Sequence, residues 1–362
     1  MKSTQAVAVG IVGTGFMGRA HADCYRAEGH ARIAMVASRS ETNARELAQR
    51  VGAPAWTTDY RELVASPDVD AVDITVPNWL HRDVALAAIV AGKPFLVEKP
   101  LARTTREADE VITAASARGV VGVYGENMRF SPALEKAKSI IDQGAIGKPI
   151  LFRATEIHNG PFHADWFWDA EASGGGAVID MGIHGLYVAE WLMAARVVRV
   201  YAELGTLKWG DHCRNGAEDS AFITLRFDTG ALAELLNSWA VAGGRDVRAE
   251  VYGTSGTLHV DKARGESGLL AYSHEGYGPP VEVEATLRPH VATNRGWHFP
   301  TADAWHQHGH AYVVKHFLEV VRDGVKPRCT LEEGRRALEL VEATYRSARE
   351  GRPVELDSHE PG

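Results

Sequence analysis

The sequence predicts an α/β protein of two domains: a doubly wound parallel sheet, followed by an α+β domain with a large, mostly antiparallel open sheet. Three observations carry this prediction. Short apolar runs alternate with amphipathic helical segments through the first third of the chain, a Gly-x-Gly-x-x-Gly loop follows the first apolar run, and longer stretches of alternating polarity follow residue 126. At 362 residues the chain is longer than one core usually supports. We therefore predict domains at residues 1–126 and 127–362.

The first domain is predicted to alternate strands and helices without interruption. The predicted elements are strand 6–13, helix 18–29, strand 31–38, helix 41–52, strand 69–77, helix 80–92, strand 94–100, helix 104–119 and strand 120–125. The last helix opens with a capping box, Thr104 with Glu107, and ends at Gly119. This alternation is typical of parallel strands joined by helices.

The second domain begins with a helix over 131–144, with Ser131 as its cap and Pro132 in its first turn. Alternating stretches that predict strands follow at 150–158, 221–227, 231–241, 247–253 and 257–261, and two helices, about 304–322 and 331–349, close the chain. Gly230 and the glycines of 253–256 mark turns between strands. The pattern predicts a largely antiparallel sheet with one polar face.

The composition narrows the class of protein. A net charge of −8, with no run of five Lys or Arg residues, disfavours binding to nucleic acid or to an anionic membrane. The three cysteines, Cys24, Cys213 and Cys329, have no paired spacing, so we expect free thiols in a reducing compartment. The apolar run near the N-terminus is too short for a signal peptide or a membrane span. We therefore expect a cytoplasmic protein that acts on small molecules.

The loop GTGFMG carries Gly13, Gly15 and Gly18 between a predicted strand and a predicted helix. In that setting the glycines allow a tight turn, a close approach of a pyrophosphate and close packing of the helix on the strand. The N-terminus of the helix attracts the phosphate charge. The loop predicts a Rossmann domain that binds a nicotinamide dinucleotide, and a glycine-rich turn of another α/β fold is the alternative.

The end of the second strand bears on the choice between NAD and NADP. NAD-binding domains carry an Asp or Glu there for the ribose hydroxyls, whereas this chain has Ser38 and Arg39. A hydroxyl and a guanidinium suit a 2′-phosphate, and an Arg can also stack on adenine. We therefore predict NADP. The alternative is NAD, bound through the backbone and Ser38, with Arg39 a solvated surface residue.

Three glycines at 174–176 lead into a segment that carries Asp180 and His184. On a regular helix, residues four apart share a face, so a carboxylate and an imidazole could meet there. The same pattern also suits an Asp that satisfies a helix start and a buried, hydrogen-bonded His. These residues alone leave both interpretations open.

Several motifs stand in one order along the chain. They are the glycine loop, Asn78 and His81 ahead of Ala-Gly-Lys at 91–93, Glu-Lys-Pro at 98–100, ENMRFSP at 126–132, the glycine run with Asp-x-Gly-x-His, and VYGTSGTLHV at 251–260. The chain thereby resembles, over nearly its whole length, the Gfo/Idh/MocA family (glucose-fructose oxidoreductase, inositol dehydrogenase and rhizopine catabolism protein). The resemblance implies that Lys99, Asp180 and His184 form the catalytic group. Many members carry an Asp three residues after that His, where this chain has Tyr187, which bears on the substrate.

The resemblance also implies a set of cofactor-binding residues in the first domain. Besides the three glycines of the loop, Ser38 and Arg39, they are Phe16, Met17, Pro77, Asn78, His81, Glu98, Lys99 and Asn127.

The three catalytic residue types suit the oxidation of a secondary alcohol. The C–H bond must face the nicotinamide while a base takes the hydroxyl proton, and an imidazole, here His184, exchanges a proton near neutral pH. Asp180 would orient His184 or a substrate hydroxyl. The Lys99 ammonium would hydrogen-bond the reacting oxygen.

Two weaker patterns concern the substrate. Residues 158–169 are rich in aromatic side chains, and Trp166 and Trp168 could stack on the C–H faces of a sugar or fill a core. The spacing of His306, His308 and His310 invites a metal-binding interpretation. No acid or Cys nearby completes such a site and hydride transfer needs no metal, so we predict no metal. We expect His310 to hydrogen-bond a substrate hydroxyl.

Together these observations predict an oxidoreductase that transfers a hydride between NAD(P) and a secondary hydroxyl or ketone of a sugar, inositol or related polyol. One alternative on the same fold is a glycosidase that transiently oxidises its sugar with a bound nicotinamide. Another is a cofactor-sensing regulator, against which the three catalytic residues argue.

The second-domain strands also predict an assembly. One face of the predicted sheet mixes apolar side chains, Phe222, Leu232, Leu236 and Tyr252, with the charged side chains of Arg226, Glu234 and Arg248. The resemblance points the same way, since relatives associate through that sheet. We therefore expect a homodimer or a homotetramer.

Overall fold

The computed structural model describes residues 6–243, 245–262, 271–273, 296–298 and 309–357. These residues divide into two compact units. The first consists of the residues up to Phe130 together with Gly309–Arg335, and the second of the described residues that remain. Among the described residues, no helix is both long enough and apolar enough to span a membrane.

The first unit contains a six-stranded sheet in which every neighbouring pair is parallel. Its strands are β1 (Val7–Val12), β2 (Ala31–Ala37), β3 (Ala55–Thr57), β4 (Ala71–Ile74), β5 (Phe95–Glu98) and β6 (Gly122–Gly125). Their order in the sheet is β3-β2-β1-β4-β5-β6. This is the order of a dinucleotide-binding Rossmann domain, and it confirms the predicted fold of the first domain.

Helices connect these strands, a further helix from near the C-terminus joins the unit, and local sequence signals set several helix ends. They are Phe16–Ala27, Glu41–Val51, Tyr60–Ala65, His81–Val90, Thr105–Arg118 and His310–Asp323, with 3-10 turns at Asn78–Leu80 and Asn127–Phe130. The Thr104 side chain accepts a hydrogen bond from the Glu107 N–H, as the predicted capping box requires. Gly119 ends the same helix with a φ of 64°, a conformation that favours glycine.

The first unit differs from the predicted first domain because the chain returns to it near the C-terminus. Helix His310–Asp323 contacts helix Phe16–Ala27 and strand β1. The predicted boundary at residue 126 lies close to the observed division after Phe130. The apolar stripe of the late helix shows that it must pack on something, but its sequence does not say on which sheet. Residues 304–308 of the helix predicted at 304–322 lie outside the described residues.

The second unit contains a seven-stranded sheet. Its strands are β7 (Pro149–Ile157), β8 (Val197–Gly205), β9 (Ser220–Phe227), β10 (Leu232–Ser238), β11 (Asp246–Gly253), β12 (Thr257–Asp261) and β15 (Val354–Glu355), and β13 (Ala271–Ser273) pairs with β14 (Gly296–His298) in a separate ribbon. The order is β12-β11-β7-β10-β9-β8-β15. All neighbours are antiparallel except β7 and β10, which run parallel. The predicted mostly antiparallel sheet is confirmed.

The helices of the second unit are Pro132–Asp142, Ala170–Ser173 and Ile183–Met193, with a 3-10 turn at Asp165–Trp168 and a π-helical turn at Val178–Gly182. The last helix of the chain, Leu331–Glu350, begins in the first unit and continues in the second. Helix Ile183–Met193 contacts β7, β10 and β11 and covers one face of the sheet.

The two faces of the sheet follow the alternation in sequence. In β9, Ile223 and Leu225 are buried, whereas Phe222 is 58% exposed. On the exposed face the guanidinium of Arg153 contacts the carboxylates of Glu234 and Glu250. The prediction of one buried face and one face that mixes apolar residues with paired charges is confirmed.

Candidate active site

The glycine loop lies between β1 and helix Phe16–Ala27. Gly13 has a φ of 115°, and a Cβ there would lie 2.4 Å from the carbonyl oxygen of Thr75. A Cβ on Gly18 would lie 2.1 Å from the carbonyl oxygen of Gly13. Both positions therefore require glycine so that the loop, the helix and the end of β4 can pack together.

Gly15, unlike Gly13 and Gly18, has open space beside its Cα. No described heavy atom outside its chain neighbours lies within 4 Å of the place where its Cβ would be. Gly15 is the N-cap of the helix, and Phe16 and Met17 form its first turn. Open space at the positive end of a helix is a suitable site for a pyrophosphate.

Ser38 and Arg39 follow β2, as predicted, but they have different environments. The Ser38 hydroxyl accepts a hydrogen bond from the Thr14 hydroxyl at 2.9 Å and so ties the glycine loop to the end of β2. Arg39 is exposed, and its guanidinium carbon lies 5.8 Å from the centroid of the Trp79 ring. Arg39 is therefore an exposed cation at the end of β2, whereas the Ser38 hydroxyl is held by Thr14.

Three further predicted cofactor residues follow the carboxyl ends of strands. Pro77 precedes the 3-10 turn after β4, Asn78 begins that turn, and Asn127 follows β6. Ligands of open parallel sheets bind at this edge. The two Asn side chains are 4% and 5% exposed, and their contact with a cofactor stays a prediction.

His81 lies between two backbone carbonyls. Its ring is buried, with Nδ1 2.6 Å from the carbonyl oxygen of Pro100 and Nε2 2.8 Å from that of Val76. Burial lowers the pKa of His81 although both carbonyls favour the protonated ring. Both ring nitrogens face protein carbonyls, so His81 links the turn after β4 to the Lys99–Pro100 segment. Its contact with a cofactor stays a prediction.

Lys99 directly follows β5, and its peptide bond to Pro100 is cis. One oxygen of the Glu98 carboxylate accepts a hydrogen bond from the Lys99 N–H at 3.1 Å. The other oxygen lies 3.1 Å from Nε2 of His21. Glu98 is only 5% exposed, so its carboxylate anchors the lysine backbone from the interior. A contact of Glu98 with a cofactor stays a prediction.

Asp180 lies in the π-helical turn Val178–Gly182, which leads into helix Ile183–Met193. The Ile183 N–H bonds to the carbonyl of Val178, five residues back, which makes this turn wider than an α-helical one. The sequence predicts a regular helix that opens at Asp180. In the structure the π-helical turn begins at Val178, two residues before Asp180. The four residues from Asp180 to His184 therefore pass through the π-helical turn instead of a regular α-helical one.

The glycine run before this turn packs against Glu218 and Tyr345. A Cβ on Gly176 would lie 2.0 Å from the Glu218 carbonyl oxygen, and one on Gly175 would lie 2.0 Å from the Tyr345 hydroxyl. The Glu218 carboxylate accepts hydrogen bonds from the N–H groups of Gly176 and Val178, at 3.1 and 2.8 Å, and from the Tyr345 hydroxyl at 3.1 Å. Burial raises the pKa of Glu218 to about 7, although these donors favour its ionised form.

These contacts change the interpretation of Asp180. The first N–H groups of the helical segment are satisfied by Glu218, which comes from elsewhere in the sequence, so Asp180 is not needed as a cap. Instead the Asp180 carboxylate accepts a hydrogen bond from Nε1 of Trp239 at 3.1 Å and lies 3.8 Å from Nε2 of His158.

Sequence reasoning missed both of these partners. His158 follows β7 and Trp239 follows β10, and the parallel pairing of Ile157 with Ser238 brings the two residues to the same edge of the sheet. The His158 N–H donates to the Ser238 carbonyl at 2.9 Å. Nothing in either strand's sequence shows that the two strands are parallel neighbours.

His184 is the second residue of helix Ile183–Met193 and is 6% exposed. Beside it, a Cβ on Gly185 would lie 2.8 Å from a methyl carbon of Leu235, so the helix lies close to β10 here. Tyr187, one turn later, is also buried. The second unit therefore carries Asp180 and His184 on one continuous helical segment.

The aromatic residues before the helix belong to a cluster of rings. Trp168 is 2% exposed, and its ring centroid lies 5.1 Å from that of Trp239 and 5.3 Å from that of Phe162. Trp166 stacks on Phe167 with 3.8 Å between centroids. Trp168 is buried in a core cluster with Ala177, Met181 and Trp239, as the core-filling alternative predicts. Stacking of Trp166 or Trp168 on a sugar stays a prediction. Phe162, a member of this cluster, is 54% exposed.

The remaining predicted residues fall in different parts of the chain. His310 begins helix His310–Asp323 in the first unit, whereas His306 and His308 lie outside the described residues. Lys99 belongs to the first unit, and Asp180 and His184 belong to the second. That the three act together stays a prediction.

The sheet order and the glycine loop define a class of protein, those with a dinucleotide-binding Rossmann domain. Two family models match: the oxidoreductase-family NAD-binding Rossmann fold over residues 7–126, and the GFO/IDH/MocA C-terminal domain over residues 134–259. The chain belongs to the Gfo/Idh/MocA oxidoreductase family, as its motifs predict.

Known proteins resemble the chain over most of its length. The crystal structure of GenD2 from gentamicin A biosynthesis, in complex with NAD, has a TM-score of 0.88 and 31% identity, with 99% of both chains covered. Myo-inositol 2-dehydrogenase of Thermotoga maritima is 28% identical over 96% of this chain and 98% of its own. A levoglucosan dehydrogenase, in complex with NADH and levoglucosan, has a TM-score of 0.79 and 25% identity and covers 97% of this chain and 99% of its own.

Proposed function

We propose that this protein transfers a hydride between a nicotinamide dinucleotide and a secondary hydroxyl or ketone of a sugar, inositol or related polyol. The observation that carries the proposal is the helical segment that bears Asp180 and His184, in a chain that belongs to this oxidoreductase family. The Trp239 indole holds the Asp180 carboxylate on that segment. The names of the relatives support the substrate class, since they include dehydrogenases of inositol and levoglucosan.

The residues divide the proton chemistry among them. The bound cofactor supplies the hydride acceptor. His184 takes the hydroxyl proton as the alcohol becomes a ketone, and a positioned base of this kind contributes roughly 10²- to 10⁴-fold in rate. Asp180, oriented by Trp239, fixes the base or a substrate hydroxyl. Lys99 hydrogen-bonds the reacting oxygen and stabilises the negative charge that develops there.

The cofactor we propose is NADP, recognised through Arg39. Strand β2 ends without the acid that binds the ribose hydroxyls of NAD, and Arg39 is an exposed cation at that end. The structures of two relatives contain NAD and NADH, so NAD is the competing choice. Its recognition would depend on the backbone and on Ser38, whose hydroxyl already bonds to Thr14.

We also propose that the exposed face of the second-unit sheet is an interface between copies of this chain. Phe222, Leu151 and Leu232 on this face are 58%, 45% and 42% exposed. The charges between them are paired within the face, as in the contact of Arg153 with Glu234 and Glu250. Apolar side chains among paired charges are typical of interfaces. Because closed two-fold symmetry is the commonest arrangement of identical chains, we propose a two-fold dimer, or a tetramer of such dimers. A cytoplasmic location stays a prediction.

A screen of polyols tests the proposed reaction. Myo-inositol, scyllo-inositol, levoglucosan and common aldoses are each incubated with the protein and NADP⁺ or NAD⁺, and the absorbance of the reduced nicotinamide near 340 nm is followed. A rise that depends on the polyol supports the proposal. Release of an aglycone from nitrophenyl glycosides, with no net reduction of the cofactor, would instead support the glycosidase alternative.

A further inference from the structure

A buried group of charged side chains lies behind the Glu98–Lys99–Pro100 segment of the first unit. His21, on helix Phe16–Ala27, has no exposed surface. Its Nδ1 lies 2.8 Å from Oδ2 of Asp73 on β4, and its Nε2 lies 3.1 Å from Oε1 of Glu98 on β5. The second contact is an ion-pair contact rather than a well-aligned hydrogen bond. One imidazole therefore connects a helix to two neighbouring strands.

The charges in this group require a cation. Asp73 is 0% exposed and Glu98 is 5% exposed, and two buried carboxylates cannot both be ionised without a compensating positive charge. A protonated imidazole has a donor on each nitrogen and fits between two acceptors. Burial alone would lower the pKa of His21, but the charges and hydrogen bonds of Asp73 and Glu98 raise it to about 10. His21 in turn lowers the pKa of Glu98 to about 2, against the effect of burial.

Other titratable groups face this centre. On the late helix, the ring centroid of His310 lies 6.1 Å from that of His21. Tyr25 lies beside Asp73, and Lys99 and Tyr124 lie near Glu98. Of these groups Lys99 and a protonated His310 add positive charge near Glu98, so they favour its ionised form as His21 does.

We propose that His21 is a positioning residue for Lys99: as a permanently protonated imidazole it holds the ionised Glu98 carboxylate, which in turn holds the lysine backbone. The links are the contact of His21 Nε2 with Glu98 Oε1 and the hydrogen bond from the Lys99 N–H to Glu98 Oε2, each 3.1 Å long. On the other side, His81 Nδ1 lies 2.6 Å from the Pro100 carbonyl oxygen. Two buried histidines thus fix the backbone from which the Lys99 side chain extends.

This inference rests on the proposed function, in which Lys99 bonds to the reacting oxygen. A displacement of a reacting group by about 1 Å can lower a rate by up to about a hundredfold. A side chain as flexible as lysine gains most from a fixed backbone, because its own rotamers do not fix its position.

The same geometry offers one rival occupant, a divalent cation. Ligand atoms of His21, Glu98 and His310 all lie within 4.8 Å of one another, and a carboxylate behind a histidine, as Asp73 lies behind His21, also occurs in metal sites. A protonated His21 is favoured over a bound cation because its ring contacts both carboxylates directly. The protonated imidazole presents one N–H group to each of them.

The charge state of His21 is tested without any substrate. Protein with ¹⁵N-labelled histidine is examined by NMR at about pH 8, where an ordinary histidine is neutral, and the His21 signals are assigned by their loss in His21→Gln. Two protonated ring nitrogens are expected. A neutral ring would overturn the inference, and so would one equivalent of a divalent cation in the purified protein that disappears in His21→Gln. If His21→Gln does not fold, Asp73→Asn identifies the same signals by shifting them.

The effect on Lys99 is tested by kinetics with the polyol from the screen. His21→Gln is expected to lower kcat roughly 10- to 100-fold with little change in the KM for the cofactor. In a plot of kcat against pH, the variant should show a fall in kcat toward acid pH, called here the acidic limb. It arises because Glu98 without its cation takes up a proton above its ordinary pKa of 4.5. The double variant His21→Gln/Asp73→Asn removes one anion together with the cation, and should move that limb back toward acid pH.

A matched control separates positioning from loss of stability. His316 is another buried histidine of the first unit, 3% exposed, on helix His310–Asp323. His316→Gln is expected to lower the unfolding midpoint without producing the acidic limb. A wild-type profile in His21→Gln, or the same limb in His316→Gln, would overturn the inference. Wild-type protein that turns over no polyol would count against the proposed function, whereas a neutral His21 counts against this inference alone.

Discussion

Asp180 is held by side chains that are remote from it in sequence. The indole of Trp239 donates to its carboxylate at 3.1 Å, and His158 lies 3.8 Å away. Hydrogen bonds to charged groups contribute about 1.5–3 kcal/mol, so the orientation of Asp180 depends measurably on this indole.

Replacing Trp239 with Phe keeps a ring in the core and removes the N–H donor. We expect kcat to fall by roughly 10- to 150-fold, the range that corresponds to the loss of a hydrogen bond to a charged group. The matched control is Trp209→Phe, which removes an indole N–H that donates to the Trp239 carbonyl at 2.7 Å and does not contact the carboxylate. Equal losses in the two variants would show that the indole acts through packing and not through Asp180.

The three residues Lys99, Asp180 and His184 are expected to act as one unit. Each single change to Ala should reduce turnover by at least about a hundredfold and leave cofactor affinity largely unchanged. His30→Ala, which alters an exposed histidine, is the control for a general effect. Near wild-type turnover in His184→Ala would refute the assignment of the base.

Arg39 is expected to select the cofactor. Arg39→Ala should weaken NADP binding by about 1.5–3 kcal/mol, because a bond between two charged groups is lost, and should leave NAD binding nearly unchanged. Arg45→Ala removes another exposed arginine, on the next helix, and should affect neither cofactor. Isothermal titration with both dinucleotides measures this. A wild-type preference for NAD, or an equal loss for both cofactors, would contradict the NADP proposal.

For individual residues, the sequence identifies the side chains that stand in motifs. It does not identify the side chains that contact and orient those motif residues in the folded protein. Lys99, Asp180 and His184 stand in motifs of recognisable spacing. His21, Trp239 and Glu218 do not, because they meet their partners only through the folded sheet. Nor do the motifs show that His81 and Glu98 are buried and contact other parts of the first unit.

At the scale of elements, the turn before His184 shows how tertiary contacts determine local structure. Caps such as Thr104 and Gly119 lie next to the helix that they end, so the sequence shows them. The π-helical turn Val178–Gly182 depends instead on Glu218, on a different part of the chain. Local propensity could not reveal a turn whose N–H partners come from there.

Glu218 gives this turn a pH dependence. Its pKa is raised from 4.5 to about 7 in the folded protein, so between these values the folded state binds more protons than the unfolded state. The free energy of unfolding should therefore decrease as the pH rises from 4.5 to about 7, by on the order of 3 kcal/mol from this group.

The variant Glu218→Gln isolates this effect because Gln cannot titrate. Urea unfolding at about pH 5 and about pH 8 should show a decrease that is larger in the wild type than in the variant, whatever constant offset the amide introduces. The decrease that remains in the variant comes from other groups with a raised pKa, such as His21. The buried carboxylate of Glu156, 7% exposed and paired with Arg245, provides a control variant, Glu156→Gln, whose pH dependence should follow the wild type. A parallel decrease in Glu218→Gln would show that Glu218 is ionised throughout this range.

At the scale of the whole molecule, the sequence predicts the two sheets better than the path between them. Periodicity and caps define the strands and helices of the first sheet, and alternation defines the faces of the second. The parallel pairing of β7 with β10 and the return of residues 309–335 to the first unit depend on long-range packing, which no local pattern records.

The exposed sheet face predicts the assembly. Light scattering after size exclusion at micromolar protein should give a mass of two or four chains of 39.3 kDa. Phe222→Asp with Tyr252→Asp introduces charge on this face and should dissociate the assembly, whereas Leu207→Asp, at a 72% exposed residue outside the sheet, should not. A mass of one chain for the wild type would end this proposal, and an assembly unaffected by the double variant would place the interface elsewhere.

The most direct test of hydride transfer follows a deuterium atom. The polyol that turns over fastest in the screen is prepared with deuterium at its ring carbons and incubated with the oxidised dinucleotide and wild-type protein. We expect mass spectrometry to detect deuterium in the reduced nicotinamide, and we expect His184→Ala to slow its appearance by at least about a hundredfold. If wild-type protein consumes the polyol and no deuterium reaches the cofactor in the medium, this protein does not transfer a hydride from the polyol to that cofactor.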